Sequence, residues 1–453
     1  MSKKINWIIS NPIPNSSSSC NKDLNGGYGT WDKFSDNPFS RIISKAKKKN
    51  IKLPVLCLGY IHSILKNKNI DCSYSESYKE SISLIKKKDT RGIIIYGSIV
   101  CCDLENKLIN EIKLFNTNIK VIVVGTFPTK FPNLFKNADH IIIGEPENFF
   151  INWSGKLDDL EKMGKEIFSE NITNLDTLPL PNFNINFAKK YSYRPMLPKP
   201  TGFIEATRGC PYSCGYYCTY GENQGKAIRS HTPSRLVEIM QKLKIEYGFK
   251  SFQFRDPVFG LKKEFIENFC LEILRTGLDT KWGMETRIDL LSKSSLRLMK
   301  KAGLTSINIG IETPNKEIAA SNKRKLCPQD KQKDLIDFAF KNNIKINAFY
   351  ILGLEQDNEE SCNETINYSL GLKTYMARYS VCTPYPGTGY YDDLNKDNRV
   401  INNNLSSYNQ QELVYKHNNL SEKMVKKLIQ KAYIKYYFRP KVISNILKQK
   451  FER

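Results

Sequence analysis

The sequence predicts an α/β protein with two successive parallel-sheet units and a C-terminal helical region. In the first unit, short apolar runs alternate with amphipathic stretches, the pattern of a parallel sheet covered by helices. In the second unit, strand–helix pairs follow one another at regular spacing. A proline-rich segment separates the two units. We therefore expect a first domain at 1–155, a linker at 156–200, a second domain at 201–395 and a helical region at 396–453.

The first unit contains four predicted strands and two clear helices. The strands are Ile5–Ile9, Gly92–Tyr96, Val121–Val124 and Ile141–Ile143, and the helices are Leu56–Lys66 and Glu105–Phe115. Each strand ends at glycine or a small polar residue, and ligands of open α/β sheets bind outside those ends. The residues expected to meet at one crevice are Ser10, Gly97, Ser98, Gly125, Thr126, Gly144 and Glu145.

Two segments of this half lack the pattern of a regular element. Residues 16–37 are rich in Ser, Asn and Gly, and a loop this long within a compact domain is either functional or disordered. Residues 176–200 hold five prolines, a density that interrupts helices and strands. The interdomain linker is therefore placed there.

The second unit shows six consecutive strand–helix pairs. The predicted strands are Gly202–Ala206, Ser251–Phe254, Trp282–Thr286, Ser306–Ile311, Lys345–Leu352 and Arg378–Thr383. The helices between them are Ser234–Tyr247, Lys263–Thr276, Lys293–Ala302, Gln329–Asn342 and Glu359–Leu372. Right-handed crossovers curl such a series into a partial (β/α)6 barrel, short of a full eightfold closure. A further helix is expected from Ser421 to Tyr437.

Composition restricts the class of protein. The 453 residues are 40% hydrophobic and 25% charged, which is a globular composition. The net charge of +23 comes mostly from lysines spread along the whole chain, so it indicates a compositional bias and nucleic acid is not an expected partner. The longest apolar run, 92–102, is shorter than the ~18 residues that span a bilayer. We expect a cytoplasmic protein.

A group of three cysteines follows the first strand of the second unit. Twelve cysteines are too sparse for a disulfide scaffold, and the four histidines show no metal-ligand spacing. Cys210, Cys214 and Cys218 form the one tight group. Soft thiolates at short spacing select an iron–sulfur cluster or zinc, and three ligands leave one iron of a cubane open. The end of a barrel strand is also where chemistry takes place in such folds.

The segment Thr207-Arg-Gly-Cys-Pro-Tyr-Ser-Cys214, with Tyr217 before Cys218, resembles the radical S-adenosylmethionine (SAM) signature. The resemblance implies that the three cysteines hold a 4Fe–4S cluster whose open iron binds the amino and carboxylate groups of SAM. The usual spacing is C-x3-C-x2-C, whereas this chain has C-x3-C-x3-C. We expect the loop to absorb the extra residue as a bulge and to keep the cluster.

The resemblance extends over nearly the whole chain, to radical SAM enzymes with an N-terminal, Rossmann-like, doubly wound cobalamin-binding domain. The matching segments are 54–65, 125–129, 144–147, 178–181, 254–259, 282–287, 310–312, 353–354, 384–388 and 436–440, in the family's order. Two departures stand out. The Asp-x-His-x-x-Gly motif that gives cobalamin an axial His is absent, since His62 falls within a predicted helix, and residues 353–358 lack the family's usual Gly-x-Pro-Gly-Glu-Thr.

The resemblance implies roles for individual residues. The SAM-binding set is Tyr217 near the adenine, Asp256 at the methionine ammonium, Glu285, Arg287 and Glu312 at the carboxylate or ribose, and Gly353 near the adenine. The set lining the cobalamin tail is Gly97, Ser98, Gly125, Thr126, Glu145 and Glu147. Neither the residues nor the resemblance assigns a catalytic acid or base.

The leading hypothesis is a cobalamin-dependent radical SAM methyltransferase acting on an unactivated carbon of a small-molecule or natural-product substrate. It implies a 5′-deoxyadenosyl radical, methylcobalamin and an electron donor such as flavodoxin or ferredoxin. The basic tail, 423–453, makes peripheral membrane contact a secondary expectation.

Three alternatives stay open. The first is a cyclase or rearrangement enzyme of the same architecture that moves no methyl group. The second is an RNA-modifying protein of the methylthiotransferase type, although Cys20, Cys57, Cys72, Cys101 and Cys102 do not form the extra trio that this type carries. The third is a non-catalytic cobalamin sensor, which the cysteine group disfavours.

Overall fold

The structure is a computed structural model that describes residues 6–16, 18–22, 27–32, 38–87, 89–440 and 442. Three predictions fall partly outside these residues: the start of the first strand at Ile5, parts of the loop at 16–37, and the end of the basic tail.

The first unit alternates strands and helices along the chain. Its elements are β1 (Asn6–Ile13), β2 (Cys20–Asn21), β3 (Thr30–Trp31), α1 (Pro38–Asn50), β4 (Ile51–Lys52), α2 (Leu56–Asn67), β5 (Asp71–Ser77), α3 (Tyr78–Lys87), β6 (Thr90–Tyr96), α4 (Cys102–Phe115), β7 (Lys120–Val124), α5 (Thr126–Lys130), β8 (His140–Gly144), α6 (Pro146–Asn152), α7 (Leu157–Glu161) and β9 (Glu166–Ser169).

Six of these strands form one parallel sheet in the order β5-β1-β6-β7-β8-β9. Its central strands are apolar on both faces, since helices cover both sides, and Ile8, Ile93 and Val123 are fully buried. The four predicted strands are present. The sequence pattern missed β5 and β9. These are the edge strands of the sheet, and each pairs with a single neighbouring strand. The strand order reverses between β1 and β6, the kind of switch point at which α/β sheets bind ligands.

The first sheet continues past the boundary predicted at residue 155. Strand β9 pairs with β8, with Ile141 opposite Glu166 and Gly144 opposite Ser169. The segment predicted as a linker from 156 onward therefore begins with α7 and the last strand of the first sheet. Beyond it the chain forms α8 (Ile185–Ala188) and β10 (Ser192–Tyr193).

The second unit contains another run of alternating elements. They are β11 (Thr201–Ile204), β12 (Thr207–Arg208), α9 (Tyr220–Gln224), β13 (Arg229–Ser230), α10 (Pro233–Tyr247), β14 (Ser251–Phe254), α11 (Lys263–Thr276), β15 (Lys281–Thr286), α12 (Lys293–Lys301), β16 (Leu304–Glu312), α13 (Lys316–Ser321), α14 (Gln329–Lys341), β17 (Lys345–Leu352), α15 (Glu359–Gly371), β18 (Met376–Val381), α16 (Gly389–Lys396) and α17 (Glu422–Tyr437).

The second sheet is parallel, and its order β11-β14-β15-β16-β17-β18 follows the chain. Helix caps fit the sequence: Thr232 caps α10 through the Arg235 amide, and Gly248 ends it in the left-handed conformation. Inside, Trp282 is fully buried and donates its indole N–H to the Ala302 carbonyl at 2.7 Å. All six predicted strands are present.

The C-terminal helix α17 packs against the edge strand β18. Three tyrosine hydroxyls of the helix donate to backbone carbonyls at or beside that strand: Tyr433 to Tyr379 at 3.2 Å, Tyr436 to Thr374 at 2.9 Å and Tyr437 to Ala377 at 2.8 Å. Among the described residues, no helix is both long and apolar enough to cross a membrane.

The two units are packed together by several contacts. Strand β4 pairs antiparallel with β10, which places the Tyr193 hydroxyl 2.8 Å from Asn308 Nδ2 of the second sheet. The ring of Tyr28 meets that of Tyr385 edge to face, with centroids 5.7 Å apart. The space between the units is thus enclosed by residues of both.

Candidate active site

The cysteine loop follows the first strand of the second sheet. A short ladder between β12 and β13 closes its base, and the Cys210 amide donates to the Gly225 carbonyl at 3.0 Å. Gly209 precedes the first cysteine with φ +95°, and a Cβ there would lie 2.1 Å from the Ala227 carbonyl oxygen. Glycine is therefore required at this position to start the loop.

One helical turn absorbs the extra residue between the second and third cysteines. The Cys218 amide donates to the Cys214 carbonyl at 3.1 Å, which is a bond between residues four apart. Side chains at that separation share a face, so the two thiols lie together. A hydrogen bond with Cys218 lowers the pKa of the Cys214 thiol to about 6, whereas burial raises the pKa of Cys210.

The three thiols face one cavity of about 1370 Å³. Within the described part of the chain, no three His, Cys, Asp or Glu side chains converge tightly enough to hold a single metal ion. A cubane uses a separate iron for each cysteine, so its ligands surround a cluster instead of a point. The volume exceeds the usual ~300–1,000 Å³ of a single-ligand pocket, which leaves room for more than one molecule.

Four of the residues predicted to bind SAM line this cavity: Tyr217, Glu285, Arg287 and Glu312. Glu285 pairs with Arg255 at 3.1 Å. Arg287 pairs with Asp289 at 3.0 Å and lies 4.3 Å above the ring of Tyr212. Because these groups are held by neighbours, their charges are fixed at the cavity wall.

Glu312 has an unusual backbone. Its φ is +65°, a conformation that side chains other than glycine adopt at a cost of about 1–3 kcal/mol, mostly at functional sites. Its carboxylate lies 3.3 Å from Arg324 Nη1, and a Cβ at Gly310 would come within 2.4 Å of Oε1. Burial raises the pKa of Glu312, and Arg324 opposes that rise. The strained backbone aims this carboxylate into the space beside the cysteines.

Asp256 and Gly353 do not line the cavity. The buried Asp256 carboxylate accepts the Ala206 amide at 3.1 Å, the Thr207 amide at 2.5 Å and the Thr207 hydroxyl at 2.6 Å, and its pKa is raised to about 6 by burial. Asp256 thereby holds the strand end that leads into the cysteine loop. Gly353, at φ +78°, accepts the Tyr415 hydroxyl at 2.9 Å through its carbonyl.

The glycines predicted for the cobalamin tail do not border open space. A Cβ at Gly97 would lie 2.3 Å from Pro128, and one at Gly125 would lie 3.0 Å from the Gly97 carbonyl. Nearby, Ser98 donates to Glu105 through its amide at 2.9 Å and its hydroxyl at 3.0 Å, and the Thr126 hydroxyl donates to the Gly27 carbonyl at 2.8 Å. These four residues contact their own chain.

Glu145 and Glu147 take part in a buried ion cluster between the units. Arg208 lies 3.1 Å from Glu145, 2.8 Å from Glu147 and 2.6 Å from Glu205. Arg229 also pairs with Glu145, at 2.7 Å. The cluster ties the end of β8 to the strand that precedes the cysteines.

The switch point of the first sheet is filled by Lys22 and Tyr28. The Lys22 side chain is fully buried, with its ammonium 2.6 Å from Glu105 and 2.5 Å from the Tyr96 carbonyl. The Tyr28 ring lies 5.5 Å from that of Phe127. In this structure the chain itself therefore occupies the crevice that the sequence assigned to a ligand.

Sequence reasoning missed several residues of the cavity wall. Arg255 and Arg324 pair with the predicted glutamates, and Tyr212, Tyr28 and Cys382 also line the space. Arg255 lies within the matching segment 254–259, so its position at a strand end could have identified it. Arg324 comes from the segment after α13, which has no pattern that marks it.

Comparison with known proteins gives one family and several relatives. The sequence profile described as the radical SAM superfamily matches residues 204–368. An uncharacterized methyltransferase of Pyrococcus horikoshii is 27% identical over 417 residues, covering 86% of this chain and 89% of the relative. The anaerobic magnesium-protoporphyrin IX monomethyl ester cyclase of Rubrivivax gelatinosus is 26% identical over 363 residues, covering 74% of this chain and 63% of the relative.

A solved structure shares the fold. OxsB, described as a cobalamin-dependent S-adenosylmethionine radical enzyme with aqua-cobalamin and S-adenosylmethionine bound, superposes with a TM-score of 0.69 at 13% identity. The match covers 96% of this chain and 67% of that one.

The matched residues of the family profile include all three cysteines and run from the end of β11 into α15. A radical SAM domain implies a 4Fe–4S cluster and SAM, and the donor set around the cavity fits both. Residues 204–368 therefore form a radical SAM domain, and the chain is an enzyme.

Proposed function

We propose that this enzyme methylates an unactivated carbon of a small-molecule or natural-product substrate, with cobalamin as the methyl carrier. One observation carries the proposal: the three cysteines, Glu285, Arg287 and Glu312 all face one cavity between the two units. The relative from Pyrococcus horikoshii, a named methyltransferase that matches 86% of this chain, supports methyl transfer. The cobalamin in OxsB supports the choice of carrier.

Cys210, Cys214 and Cys218 are the proposed cluster ligands. When bound, the cluster supplies an electron to the SAM sulfonium, and the cleavage yields a radical that removes hydrogen from unactivated carbon. The protein's own contribution is positional. The strained Glu312 and Arg287 bind the charged methionine end of SAM, because a carboxylate suits an ammonium and a guanidinium suits a carboxylate. Asp289 accepts from Nε and Nη2 of Arg287, so we assign the contact with SAM to Nη1.

Four further residues complete the proposed SAM site. Tyr217 packs against the adenine, and Glu285, fixed by Arg255, binds the ribose hydroxyls or the methionine group. Asp256 acts indirectly, since it holds the Ala206 and Thr207 amides that precede the cysteine loop. Gly353 likewise shapes the end of β17. Tyr217 and Glu285 thus contact SAM from the cavity wall, whereas Asp256 and Gly353 position the backbone behind it.

Exclusion of water is the second contribution of the chain. Tyr28 of the first unit closes against Tyr385 of the second, and both line the cavity. Packing of this kind shields that part of the cavity from solvent, which protects a reactive intermediate there. We therefore assign the packing of the two units on each other a role in the chemistry as well as in stability.

The six residues predicted for the cobalamin tail do not fit that role in this structure. Gly97, Ser98, Gly125 and Thr126 contact their own chain, and Glu145 and Glu147 bind Arg208. We derive no step at these positions. A cobalamin tail at the switch point would require the buried pair of Lys22 and Glu105 to separate.

The proposal includes three further features of the protein: its barrel, its electron donor and its compartment. The sequential order of the second sheet supports a partial (β/α)6 barrel. The switch point of the first sheet supports the first unit as the cobalamin-binding domain, with residues other than the six predicted ones holding the tail. An electron donor such as flavodoxin or ferredoxin supplies the reductant that radical SAM chemistry requires. We place the enzyme in the cytoplasm, where such donors and free thiols are maintained.

A cyclase that moves no methyl group is the second candidate, and the similarity to the cyclase of Rubrivivax gelatinosus favours it. Product analysis separates the two. The reconstituted enzyme is incubated anaerobically with SAM, cobalamin and a reductant, and both nucleoside products are quantified. Formation of 5′-deoxyadenosine together with S-adenosylhomocysteine supports methyl transfer. Formation of 5′-deoxyadenosine without S-adenosylhomocysteine would replace the methyltransferase proposal with the cyclase.

A further inference from the structure

The cavity that contains the cysteines extends along the second sheet to the opposite ends of its strands. There it is lined by Lys199, Lys250, Lys281, Lys300 and Lys345, which we call the lysine mouth. Lys250 comes directly before β14, whereas Lys281 and Lys345 are the first residues of β15 and β17. Because the cysteines follow the carboxyl end of β11, the two groups lie at opposite ends of one space.

The charges on the cavity wall are unbalanced. Twelve Lys and Arg side chains line it, against two Glu and no Asp. Both glutamates are at the cysteine end and are paired with Arg255 and Arg324. In the described part of the chain, no carboxylate pairs with Lys199, Lys250, Lys281 or Lys300. Burial and the neighbouring charge of Lys281 lower the pKa of Lys300, so these two cations are close enough to repel each other.

Lysines on the surface of a lysine-rich chain need no ligand to explain them. Two observations distinguish this group. The five share one cavity with the cluster ligands, although they come from five separate segments of the chain. In addition, Asn347, two positions after Lys345, is 5% exposed and borders this cavity. Its side-chain amide oxygen Oδ1 has no hydrogen-bond partner. A buried acceptor without a donor is costly. A bound ligand would satisfy it through an N–H or O–H group beside Asn347, which is a role separate from that of its acidic group.

The length and lining of the space restrict the shape of that ligand. Strand β17 has eight residues, and at ~3.3 Å per residue it spans roughly 25 Å between the two ends. Along β17 the wall carries Phe349 and Ile351. Asn308, Asn347 and Arg378 border the same space between its two ends. A compact anion would fill only the mouth, whereas an elongated amphiphile would reach from the lysines to the cysteines.

We propose that the cavity binds an elongated anionic amphiphile, with its acidic group at the lysine mouth and its far end at the cysteine loop. The carboxylate or phosphate would be neutralised by Lys281 and Lys300, and the apolar body would lie along β17. This inference deepens the proposed function by naming its substrate class. The inference relies on the proposed function only to decide which end of the ligand reacts.

The test uses 11-(dansylamino)undecanoic acid, whose fluorescence rises in an apolar site, and its methyl ester. Each is titrated into the full reconstituted enzyme with SAM and without reductant. We expect the acid to bind at least tenfold more tightly than the ester. The double variant Lys281→Glu/Lys300→Glu should weaken binding of the acid by about tenfold or more and leave the ester unchanged, because only the acid meets the reversed charges.

The matched control is Lys262→Glu/Lys301→Glu, which makes the same change of net charge at exposed lysines outside the cavity. Its affinity for the acid should stay within about twofold of the unaltered enzyme. Equal affinity for acid and ester, or an equal loss in the control, would overturn the proposal.

Sedimentation with phosphatidylglycerol vesicles separates a membrane surface from a channel ligand. Vesicle binding without binding of the free acid would also overturn the proposal. Formation of 5′-deoxyadenosine is scored separately, so a failed titration leaves the radical SAM assignment intact, and a failed cleavage assay leaves the binding result intact.

Discussion

Arg208 and Glu147 belong to different units of the chain and are joined at 2.8 Å in a fully buried site. Arg208 lies two residues before the first cysteine, and it also contacts Glu145 and Glu205. A single guanidinium therefore contacts three carboxylates and connects the first sheet to the start of the cysteine loop. Placement of the cluster site thus depends on a contact between units.

The first prediction concerns this cluster. Replacing Arg208 with Met leaves three buried carboxylates without their common partner, and we expect a loss of about 3–5 kcal/mol in unfolding free energy. Denaturant unfolding followed by circular dichroism measures it. Arg275→Met is the control: it breaks a pair on the exposed face of α11, so its unfolding midpoint should not change measurably. An Arg208→Met protein as stable as the control would contradict the role given to the cluster.

The second prediction concerns the loop glycine. Gly209→Ala places a Cβ 2.1 Å from a backbone oxygen, so the loop must shift and we expect the iron content after reconstitution to fall by more than half. Gly277→Ala is matched, since Gly277 also has a positive φ, of +64°, but has no atom within 4 Å of the added carbon. It should cost about 1 kcal/mol of stability and keep its iron. Equal iron in both variants would show that the loop does not need Gly209.

The third prediction concerns Glu312. Glu312→Gln keeps the shape of the side chain but removes the negative charge beside Arg324, and we expect KM for SAM to rise at least tenfold in the 5′-deoxyadenosine assay. The exposed Glu267→Gln on α11 should leave KM unchanged. If both variants keep the KM of the unaltered enzyme, Glu312 does not bind SAM.

The fourth prediction concerns pH. Burial lowers the pKa of His231 to about 4, although Asp176 lies 2.9 Å from its ring. In the unfolded chain the value is about 6.5, so the fold favours the neutral ring. The neutral His231 ring makes its full contribution to the free energy of unfolding above about pH 6.5. That contribution, about 2–3 kcal/mol, is lost as the pH falls from 6.5 through about 4.

His231→Gln removes this titration. We expect the variant to lose less stability than the unaltered enzyme between pH 7.5 and pH 4.5, as measured by urea unfolding at both values. Parallel losses in the two proteins would show that His231 is not responsible for the acid sensitivity.

The sequence predicted the strands well where burial is two-sided. Runs such as Ile93–Ile95 and Val121–Val124 are apolar on both faces because helices cover both sides of the sheet. It missed β5, whose Asp71-Cys-Ser-Tyr-Ser-Glu-Ser77 is mostly polar, because an edge strand pairs on one side only. Strands can therefore be predicted from the sequence at the centre of a sheet but are missed at its edges.

Part of the site could also be predicted, because some of its residues follow local sequence patterns. Cysteine spacing is local, so the three proposed ligands could be located, and Glu285, Arg287 and Glu312 lie at strand ends. Arg324 and Lys22 reach their positions through tertiary packing, and no local pattern marks them. The crevice at Gly97 was expected to be open, but only the structure shows Lys22 inside it.

The most direct test of the account is the iron content of the anaerobically reconstituted chain together with its cleavage of SAM. We predict about four irons per chain and 5′-deoxyadenosine on addition of reductant. Cys214→Ala should lose both, whereas Cys270→Ala, a buried cysteine of α11 outside the cavity, should keep both. A colourless protein without iron, or a Cys214→Ala variant with full iron and activity, would contradict the account.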